Sequence, residues 1–199
     1  MAIKFQYNKI SLQALEKQLK VRVRALPTMK NKESALRIEV KKAKDESKRL
    51  DKELNQKIQS YYNMIELWGE FDTSLVSIED VTLEVKKIAG VKTPVLEGID
   101  FHVAEFSVFN FPKWFLGGIE LIKELINLAI AREVFSRKME LLNYARKKTT
   151  QKVNLFEKVQ IPGYEDAILK IKRFMEDEDN LSKSAQKIVK TRQQEEVMQ

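Results

Sequence analysis

Hydrophobic residues near the N-terminus recur at alternating intervals of three and four residues, which is the heptad spacing of a coiled-coil helix. A helix following this series would be about 85 Å long at about 1.5 Å per residue. Because a helix with a single apolar stripe gains little stability alone in water, it must pack against something along its length. The series contains Leu12, Leu15, Leu19, Arg22, Leu26, Met29, Glu33, Leu36, Val40, Ala43, Ser47, Leu50, Leu54, Lys57, Tyr61, Met64 and Trp68. Only its four polar members, Arg22, Glu33, Ser47 and Lys57, interrupt the stripe.

A second heptad series follows the Gly117-Gly118 pair and predicts a returning helix. Its phase slips by about one residue at Ile161-Pro162-Gly163, and slips of this kind relax supercoiling locally. The first part of the series contains Leu121, Glu124, Leu128, Ala131, Phe135, Lys138, Leu142, Ala145, Thr149, Lys152, Phe156 and Val159. The second part contains Ala167, Ile171, Phe174, Glu178, Leu181, Ala185, Ile188 and Arg192.

The two series face each other if the chain folds back between them. Setting Trp68 beside Leu121 predicts that paired residue numbers sum to about 189, which places Leu36 opposite Val153. This register leaves roughly the last 15–20 residues without a partner helix, although an apolar stripe continues there. The stripe contains Leu181, Ala185 and Ile188. We therefore predict that this overhang binds another chain.

Proline residues mark one level of both helices. Pro27 removes a backbone hydrogen bond inside the first series, but the series stays in phase across it, which predicts a kink and not a helix end. The predicted register sets Pro27 opposite Pro162, so Pro27, Pro162 and Gly163 are the expected kink positions. A tolerated kink and a mechanical hinge both remain open for Pro162 and Gly163.

Between the helices the hydrophobic period changes to two, which predicts strands. The alternating residues are Val81, Leu83 and Val85, followed by Ile99, Phe101 and Val103. The stretch between them holds Gly90, Pro94 and Gly98, so we expect a β-hairpin with an irregular or long turn. An aromatic cluster of Phe106, Phe109, Phe111, Trp114 and Phe115 follows, and it could form core beneath the hairpin or a partner interface.

These patterns predict a mostly α fold, a long antiparallel two-helix coiled coil with a small β-hairpin and irregular segment at its turn. Residues 1–199 are expected to form a single elongated domain. Its parts are an N-terminal helix over 1–70, the hairpin and aromatic foot over 71–118, and a C-terminal helix over 119–199. A composition with 33% charged residues, six Gly and four Pro is typical of long helices.

Charge is distributed unevenly along the chain. Residues 1–60 carry a net charge of +9, residues 61–118 carry −5 and residues 119–199 carry +3, which gives the overall +7. The basic stretch from Lys30 to Arg49 could be a solvated face, a protein contact or a nucleic-acid stripe. Acidic residues interrupt this stretch and aromatic stacking residues are absent from it, which weakens the nucleic-acid interpretation.

Residue types that carry chemistry are scarce. The sequence has no cysteine and only one histidine, His102, which excludes a disulfide framework and disfavours metal or nucleophilic sites. No phosphate-binding Gly-x-x-x-x-Gly-Lys-Ser/Thr pattern is present, and Glu176-Asp-Glu-Asp179 lacks the geometry of a calcium loop. We therefore predict no catalytic, cofactor or metal site. No apolar run approaches the length of a membrane span, and the first residues lack a signal-peptide core, so we expect a soluble intracellular chain.

Three stretches of the sequence are distinctive: Leu12-Gln-Ala-Leu15, Met29-Lys-Asn-Lys-Glu-Ser-Ala-Leu36 and Val153-Asn-Leu-Phe-Glu-Lys-Val-Gln-Ile-Pro162. They resemble the D subunit of V-type ATPases, in the form found in bacteria and archaea. The most specific is the run that ends at Pro162, and the resemblance covers nearly the whole chain but is weaker between Ser74 and Pro112.

The resemblance implies a non-catalytic central-stalk rotor subunit, without cofactors, in a complex of ATP synthesis and hydrogen ion transport. Such an axle carries torque between the ring of A and B subunits and the membrane rotor, and outside the ring it contacts the stalk's F subunit and the funnel-shaped subunit. The expected location is cytoplasmic, at the inner or plasma membrane, with membrane association only through the complex and no nucleic acid bound. The alternative is a generic antiparallel coiled-coil scaffold or tether.

Candidate interface residues follow from combining this resemblance with the charge and apolar patterns. For contact with the ring we assign Lys30, Lys32, Arg37, Leu181, Ala185 and Ile188. For contact at the foot of the stalk we assign Phe106, Phe109, Phe111, Trp114 and Phe115.

Overall fold

A computed structural model describes residues 3–62, 69–105 and 112–197. The described chain is mostly α-helical with one two-stranded antiparallel sheet, which confirms the predicted fold class. A 3-10 turn at Thr73–Leu75 precedes the sheet, and a π-helical turn at Phe156–Gln160 separates the last two helices. The main elements are α1 (Lys9–Ser60), β1 (Val76–Ile88), β2 (Val91–Val103), α2 (Trp114–Leu155) and α3 (Ile161–Val197).

Helix α1 follows the first heptad series closely. Every position of that series from Leu12 to Tyr61 is buried or half-buried, including the four polar positions. The last two positions of the series, Met64 and Trp68, lie outside the described residues. The helix continues through Pro27, as the uninterrupted phase of the series predicts.

A side-chain cap stabilises the start of α1. The side-chain oxygen of Asn8 accepts a hydrogen bond of 2.7 Å from the backbone N–H of Ser11. Because the first N–H groups of a helix have no partner within the helix, this bond satisfies one of them.

Contacts within the chain divide it into two compact units. The first unit combines Met1–Asn31 with Thr149–Gln199, and the second is Lys32–Lys148. The single elongated domain over residues 1–199 stays a prediction.

In the first unit, the start of α1 packs antiparallel against α3. Glu16 pairs with Lys172 at 2.9 Å, and Lys30 pairs with Glu157 at 2.6 Å. These pairs lie within about two residues of the predicted register. The buried core contains Leu15, Tyr164, Ala167, Ile168 and Ile171, and Ile3, Phe5, Leu12, Leu19 and Met175 pack around it.

In the second unit, α1 and α2 are also antiparallel, but the register differs from the prediction. Asp51 accepts a hydrogen bond of 3.0 Å from Arg132, and Lys57 pairs with Glu124. Arg132 lies six residues, and Glu124 eight residues, before the position that the predicted register places opposite Asp51 and Lys57 respectively. A shift of about one heptad leaves the same faces of two coiled-coil helices in contact, so the apolar spacing alone does not distinguish the two registers. Buried Leu36, Ala43 and Leu142 form the core at one level of this pair.

The hairpin has a tight turn, so the expectation of an irregular or long turn was wrong. The strands pair from Val76 opposite Val103 to Ile88 opposite Val91, and only Ala89 and Gly90 connect them. Both turn residues have positive φ angles, 48° and 81°, as a two-residue type I′ hairpin requires. Pro94 lies inside β2 and is accommodated because each strand of a two-stranded sheet has a free edge. Gly98, also in β2, lies opposite Thr82, beside a register shift in the strand pairing.

Both ends of the hairpin pack on helical cores of the second unit. At the open end, Val76 and Val103 pack on a cluster formed by Phe71, Leu75, Phe115 and Ile119. At the turn, Ile88 and Val91 pack on the cluster formed by Leu36, Ala43 and Leu142. A two-stranded sheet is marginal in water, and these contacts at both ends supply the support it needs.

Candidate partner interfaces

The C-terminal part of α3 is exposed along its whole described length. All side chains from 176 to 194 are exposed, whereas Ile171, about one turn earlier, is fully buried. Leu181 is 72% exposed and Ile188 is 55% exposed, and Ala185 lies between them. The exposed segment is about 30 Å long at about 1.5 Å per residue. The predicted overhang is therefore confirmed, while its contact with a ring stays a prediction.

The apolar stripe of this overhang is not a straight continuation of the buried face of α3. The buried face contains Tyr164, Ile168, Ile171 and Met175, whereas Phe174 is 45% exposed. Spacings of seven, eleven and fourteen residues after Phe174 lead to Leu181, Ala185 and Ile188. At 3.6 residues per turn, this stripe is rotated by roughly a quarter turn from the face that packs on α1. The expectation that Phe174 continues the packed series was wrong, since Met175 takes that place.

An N-terminal arm, residues 3–8, lies beside the start of the stripe. The rings of Tyr7 and Phe174 are 4.8 Å apart, and the rings of Phe5 and Tyr7 are 5.4 Å apart. Tyr7 is 50% exposed, so it adds aromatic surface where the stripe begins. Sequence reasoning did not assign this arm, although apolar residues alternate at Ile3, Phe5 and Tyr7, which is the pattern of an extended segment with one packed face.

The three basic residues assigned to a ring contact are all exposed. Lys30 is paired with Glu157, and Arg37 is paired with Glu33 at 3.0 Å. Lys32 lies beside the hairpin turn, where an added Cβ at Gly90 would be 3.6 Å from Lys32 Nζ. Surface pairs of this kind are weak, so Lys30 and Arg37 can exchange their partners for acidic groups of another protein at little cost.

The aromatic foot is described only in part, because Phe106, Phe109 and Phe111 lie outside the described residues. Phe115 is 2% exposed and packs at 5.1 Å from Phe71, which is the core role that the sequence left open for this cluster. Trp114 is half-buried at the edge of the same cluster. Trp114 can therefore contact a partner directly, whereas Phe115 would contribute only by packing behind Trp114.

The second helix begins before residue 119, where the sequence predicted its start. Helix α2 begins at Trp114 and includes both glycines. An added Cβ at Gly118 would lie 3.2 Å from ring atoms of both Phe71 and Trp114. This glycine allows close aromatic packing on the helix and does not end it.

Asp72 caps the 3-10 turn Thr73–Leu75, which precedes β1. Its carboxylate accepts hydrogen bonds from the hydroxyl of Ser74 at 2.7 Å and from the N–H of Ser74 at 2.9 Å. These bonds, the hydroxyl first, lower the pKa of the Asp72 carboxyl below its ordinary value because they favour the charged form.

A pH titration tests this cap. Because the pKa is lower in the folded state, the stabilising contribution of Asp72 is present above the ordinary aspartate pKa and is lost as the pH falls through the folded value. Carboxyl-carbon NMR should show Asp72 titrating below ordinary aspartates, and Ser74→Ala should move the pKa upwards. An Asp72 pKa that is unchanged by Ser74→Ala would contradict this assignment.

The predicted phase slip occurs as the π-helical turn Phe156–Gln160, one turn before the expected place. The N–H of Ile161 donates to the carbonyl of Phe156, five residues back. Pro162 follows directly as the second residue of α3 and has no N–H to donate. A π-helical turn adds one residue to a helix, which accounts for the slip. Gly163 leaves room for the N-terminal arm, because an added Cβ there would be 3.2 Å from Ile3 Cδ1.

Features of catalytic or membrane proteins are not found in the described ranges. Across residues 3–62, 69–105 and 112–197, no three acidic, His or Cys side chains are grouped to hold a metal ion. Over the same residues, no helix contains an apolar stretch long enough to cross a membrane. His102, the single histidine, is exposed on β2.

Comparison with known families decides the assignment. The family model for the D subunit of ATP synthase matches residues 11–191, from the start of α1 to the exposed part of α3. The chain belongs to the family of ATP synthase D subunits. The resemblance found in the sequence is thereby confirmed.

Relatives among the D subunits cover the chain almost completely. The chain is 29% identical to the V-type ATP synthase D subunit of Borreliella burgdorferi over 191 residues, which is 94% of each chain. It is also 29% identical to the V-type ATP synthase D subunit of Chlamydia pneumoniae, over 89% of this chain and 87% of that protein. A third relative of the same name, in Chlamydia muridarum, is 28% identical over 89% of this chain and 90% of that protein. Residues of α1, the hairpin and α3 therefore all lie within the family match.

Proposed function

We propose that this chain is the non-catalytic rotor shaft of a V-type ATP synthase or ATPase. In this role it transmits torque between the ring that makes or hydrolyses ATP and the rotor that moves ions across the membrane. Membership of the D-subunit group of ATP synthases supports this proposal, and the exposed apolar stripe of α3 is the observation that carries it.

The exposed stripe suits a bearing inside a ring. Leu181, Ala185 and Ile188 lie on one side of a single helix, and no side chain of the described N-terminal segment covers them. A sleeve of apolar side chains can bury such a stripe without fixed hydrogen-bond geometry, so the contact can be re-formed at several rotational positions. The contact assigned to Lys30, Lys32 and Arg37 is with acidic groups of the A and B subunits of the ring, where ion pairs at a surface are similarly easy to exchange.

The foot is the proposed site for the remaining partners. The stalk's F subunit and the funnel-shaped subunit that joins the membrane rotor are expected to contact the hairpin and the aromatic foot. Trp114 is the described aromatic residue available for that contact, because it is half-buried at the edge of its cluster. In this arrangement the chain meets the membrane only through the complex, at its cytoplasmic face.

Chemistry is assigned to other subunits. The chain is proposed to hold neither ATP nor a cofactor, and its contribution is mechanical. Long helices paired through a packed core resist twisting, and the buried Leu36, Ala43 and Leu142 belong to such a core.

Co-purification distinguishes the shaft from a scaffold. A tagged chain expressed together with ring and stalk subunits should retain the A and B subunits, and it should retain the F subunit as well. A generic scaffold or tether would retain none of them. A nucleic-acid-binding role would instead give a salt-dependent gel shift with DNA or RNA at low salt, which we do not expect.

A further inference from the structure

Arg22, which interrupts the apolar series of α1, is the centre of a side-chain cluster in the first unit. Its guanidinium carbon lies 4.5 Å from the centre of the Tyr164 ring and 5.9 Å from the centre of the Phe156 ring. Its Nε donates to Gln160 Oε1 at 2.8 Å, and a second nitrogen donates to the Gln18 carbonyl at 3.1 Å. The Tyr164 hydroxyl donates to Gln18 Oε1 at 2.6 Å and closes the cluster.

The cluster holds the two ends of the π-helical turn. Phe156 is the first residue of that turn and Gln160 is the last, and Arg22 contacts both from the opposite helix. Tyr164, the third partner, is buried one turn further along α3. A planar guanidinium can stack on rings and donate in its own plane at the same time, which a lysine cannot do.

The extra residue in the π-helical turn sets which face of α3 packs on α1. Adding or removing one residue rotates everything after it by about 100°. With the extra residue present, Tyr164, Ile168 and Ile171 face α1. Without it, the residue that precedes each of these three in the sequence would face α1 instead. The exposed stripe of Leu181, Ala185 and Ile188 would rotate by the same angle.

Pro162 favours an interruption here, because in a regular α-helix its ring would clash with the carbonyl of Lys158, four residues back and inside the π-helical turn. Because Pro162 has no N–H, the helix loses one hydrogen bond wherever the extra residue is inserted nearby. Arg22 adds side-chain contacts that stabilise the interruption at Phe156–Gln160, since its hydrogen bond and ring contact reach both ends of that turn.

We propose that Arg22 is the positioning residue that holds the π-helical turn at Phe156–Gln160 and thereby sets the direction of the apolar stripe on the α3 overhang. The positional effect of Arg22 is a property of the isolated chain. Its consequence for ring binding rests on the proposed function.

Chemical cross-linking tests the positional effect directly, and the absence of native cysteine makes introduced pairs unambiguous. Glu16→Cys and Lys172→Cys replace a surface pair whose charged atoms are 2.9 Å apart in the present phase. A short bismaleimide should cross-link this pair efficiently in the parent chain. Adding Arg22→Ala should reduce the yield at least fivefold, and Arg22→Lys should reduce it too, because lysine lacks the planar group.

Arg24→Ala is the matched control, since Arg24 lies on the exposed side of α1 two residues away. It should leave the yield unchanged, and circular dichroism should show that every variant keeps its helical content. If any variant unfolds, hydrogen exchange of Arg22→Lys replaces the test, with at least tenfold faster exchange expected at Ile161 than in the Arg24→Lys control. Equal cross-linking yields, or equal exchange rates, for the Arg22 and Arg24 variants would overturn the proposal.

Ring binding then separates this proposal from the proposed function. If Arg22→Ala loses both the cross-link and binding to the A and B subunits, both proposals are supported. If Arg22→Ala loses the cross-link but the parent chain binds no ring, the positional role of Arg22 stands and the shaft function fails.

Discussion

Replacing Leu181, Ala185 and Ile188 together with aspartate should abolish binding to the ring while leaving the helical content of the chain unchanged. Each of these side chains is exposed in the isolated chain, so the new carboxylates stay in water and cost little folding free energy. In the complex they would have to enter an apolar contact, where burying an unpaired charge costs several kcal/mol each by order of magnitude. We expect at least a hundredfold loss of affinity in a pull-down or surface-binding titration.

The matched control carries the same added charge on another side of the same helix. Ser182→Asp, Gln186→Asp and Gln193→Asp also alter three exposed residues of the overhang. This variant should bind the ring far better than the stripe variant and should show the same circular dichroism. Equal binding by the two variants would contradict a role for the stripe, and a large loss of helicity in the stripe variant would contradict the idea of a free overhang.

The second large effect is expected for Ile171→Ala, which should destabilise the first unit by about 2–5 kcal/mol. Ile171 is fully buried among Leu15, Tyr164 and Ile168, so alanine would leave a cavity beside side chains that cannot all collapse into it. Ile188→Ala removes the same atoms from a side chain that is 55% exposed and should change stability by less than about 0.5 kcal/mol.

Hydrogen exchange within the first unit measures this difference in the full chain. Amides near Ile171 should exchange through openings that are much more frequent in Ile171→Ala than in Ile188→Ala. Similar exchange near Ile171 in both variants would show that the core of the first unit lies elsewhere.

Apolar periodicity was sufficient to predict α1, because its entire described series is buried or half-buried. It was not sufficient to fix the register. Heptad spacing is unchanged by a shift of seven residues, and Lys57 with Glu124 shows that the second unit uses the shifted pairing. The ion pairs that mark this register, Lys57 with Glu124 and Asp51 with Arg132, leave no distinctive spacing in the sequence.

The hairpin turn and the packed residue after Ile171 were missed for local reasons. Ala89 has a positive φ angle without being glycine or asparagine, so the tight turn had a weak signal. After buried Ile171 the series was continued by three residues to Phe174, whereas the packed face continues by four residues to Met175, and heptad spacing permits both steps.

The sequence predicted the candidate interface that consists of exposed side chains on one helix. It did not predict the contacts between side chains that are far apart in the sequence. The stripe of Leu181, Ala185 and Ile188 was identified because a predicted helix extended beyond its partner. Arg22 was counted only as an interruption, because its partners Phe156, Gln160 and Tyr164 become neighbours only after the chain folds back.

Single-molecule rotation tests the shaft function most directly. A bead attached through a cysteine introduced at exposed Glu84 would report the motion of this chain in a reconstituted ring fixed to glass. The shaft function predicts that the bead turns in one direction while the ring hydrolyses ATP. A bead that stays still on a ring that binds the chain and hydrolyses ATP would contradict it.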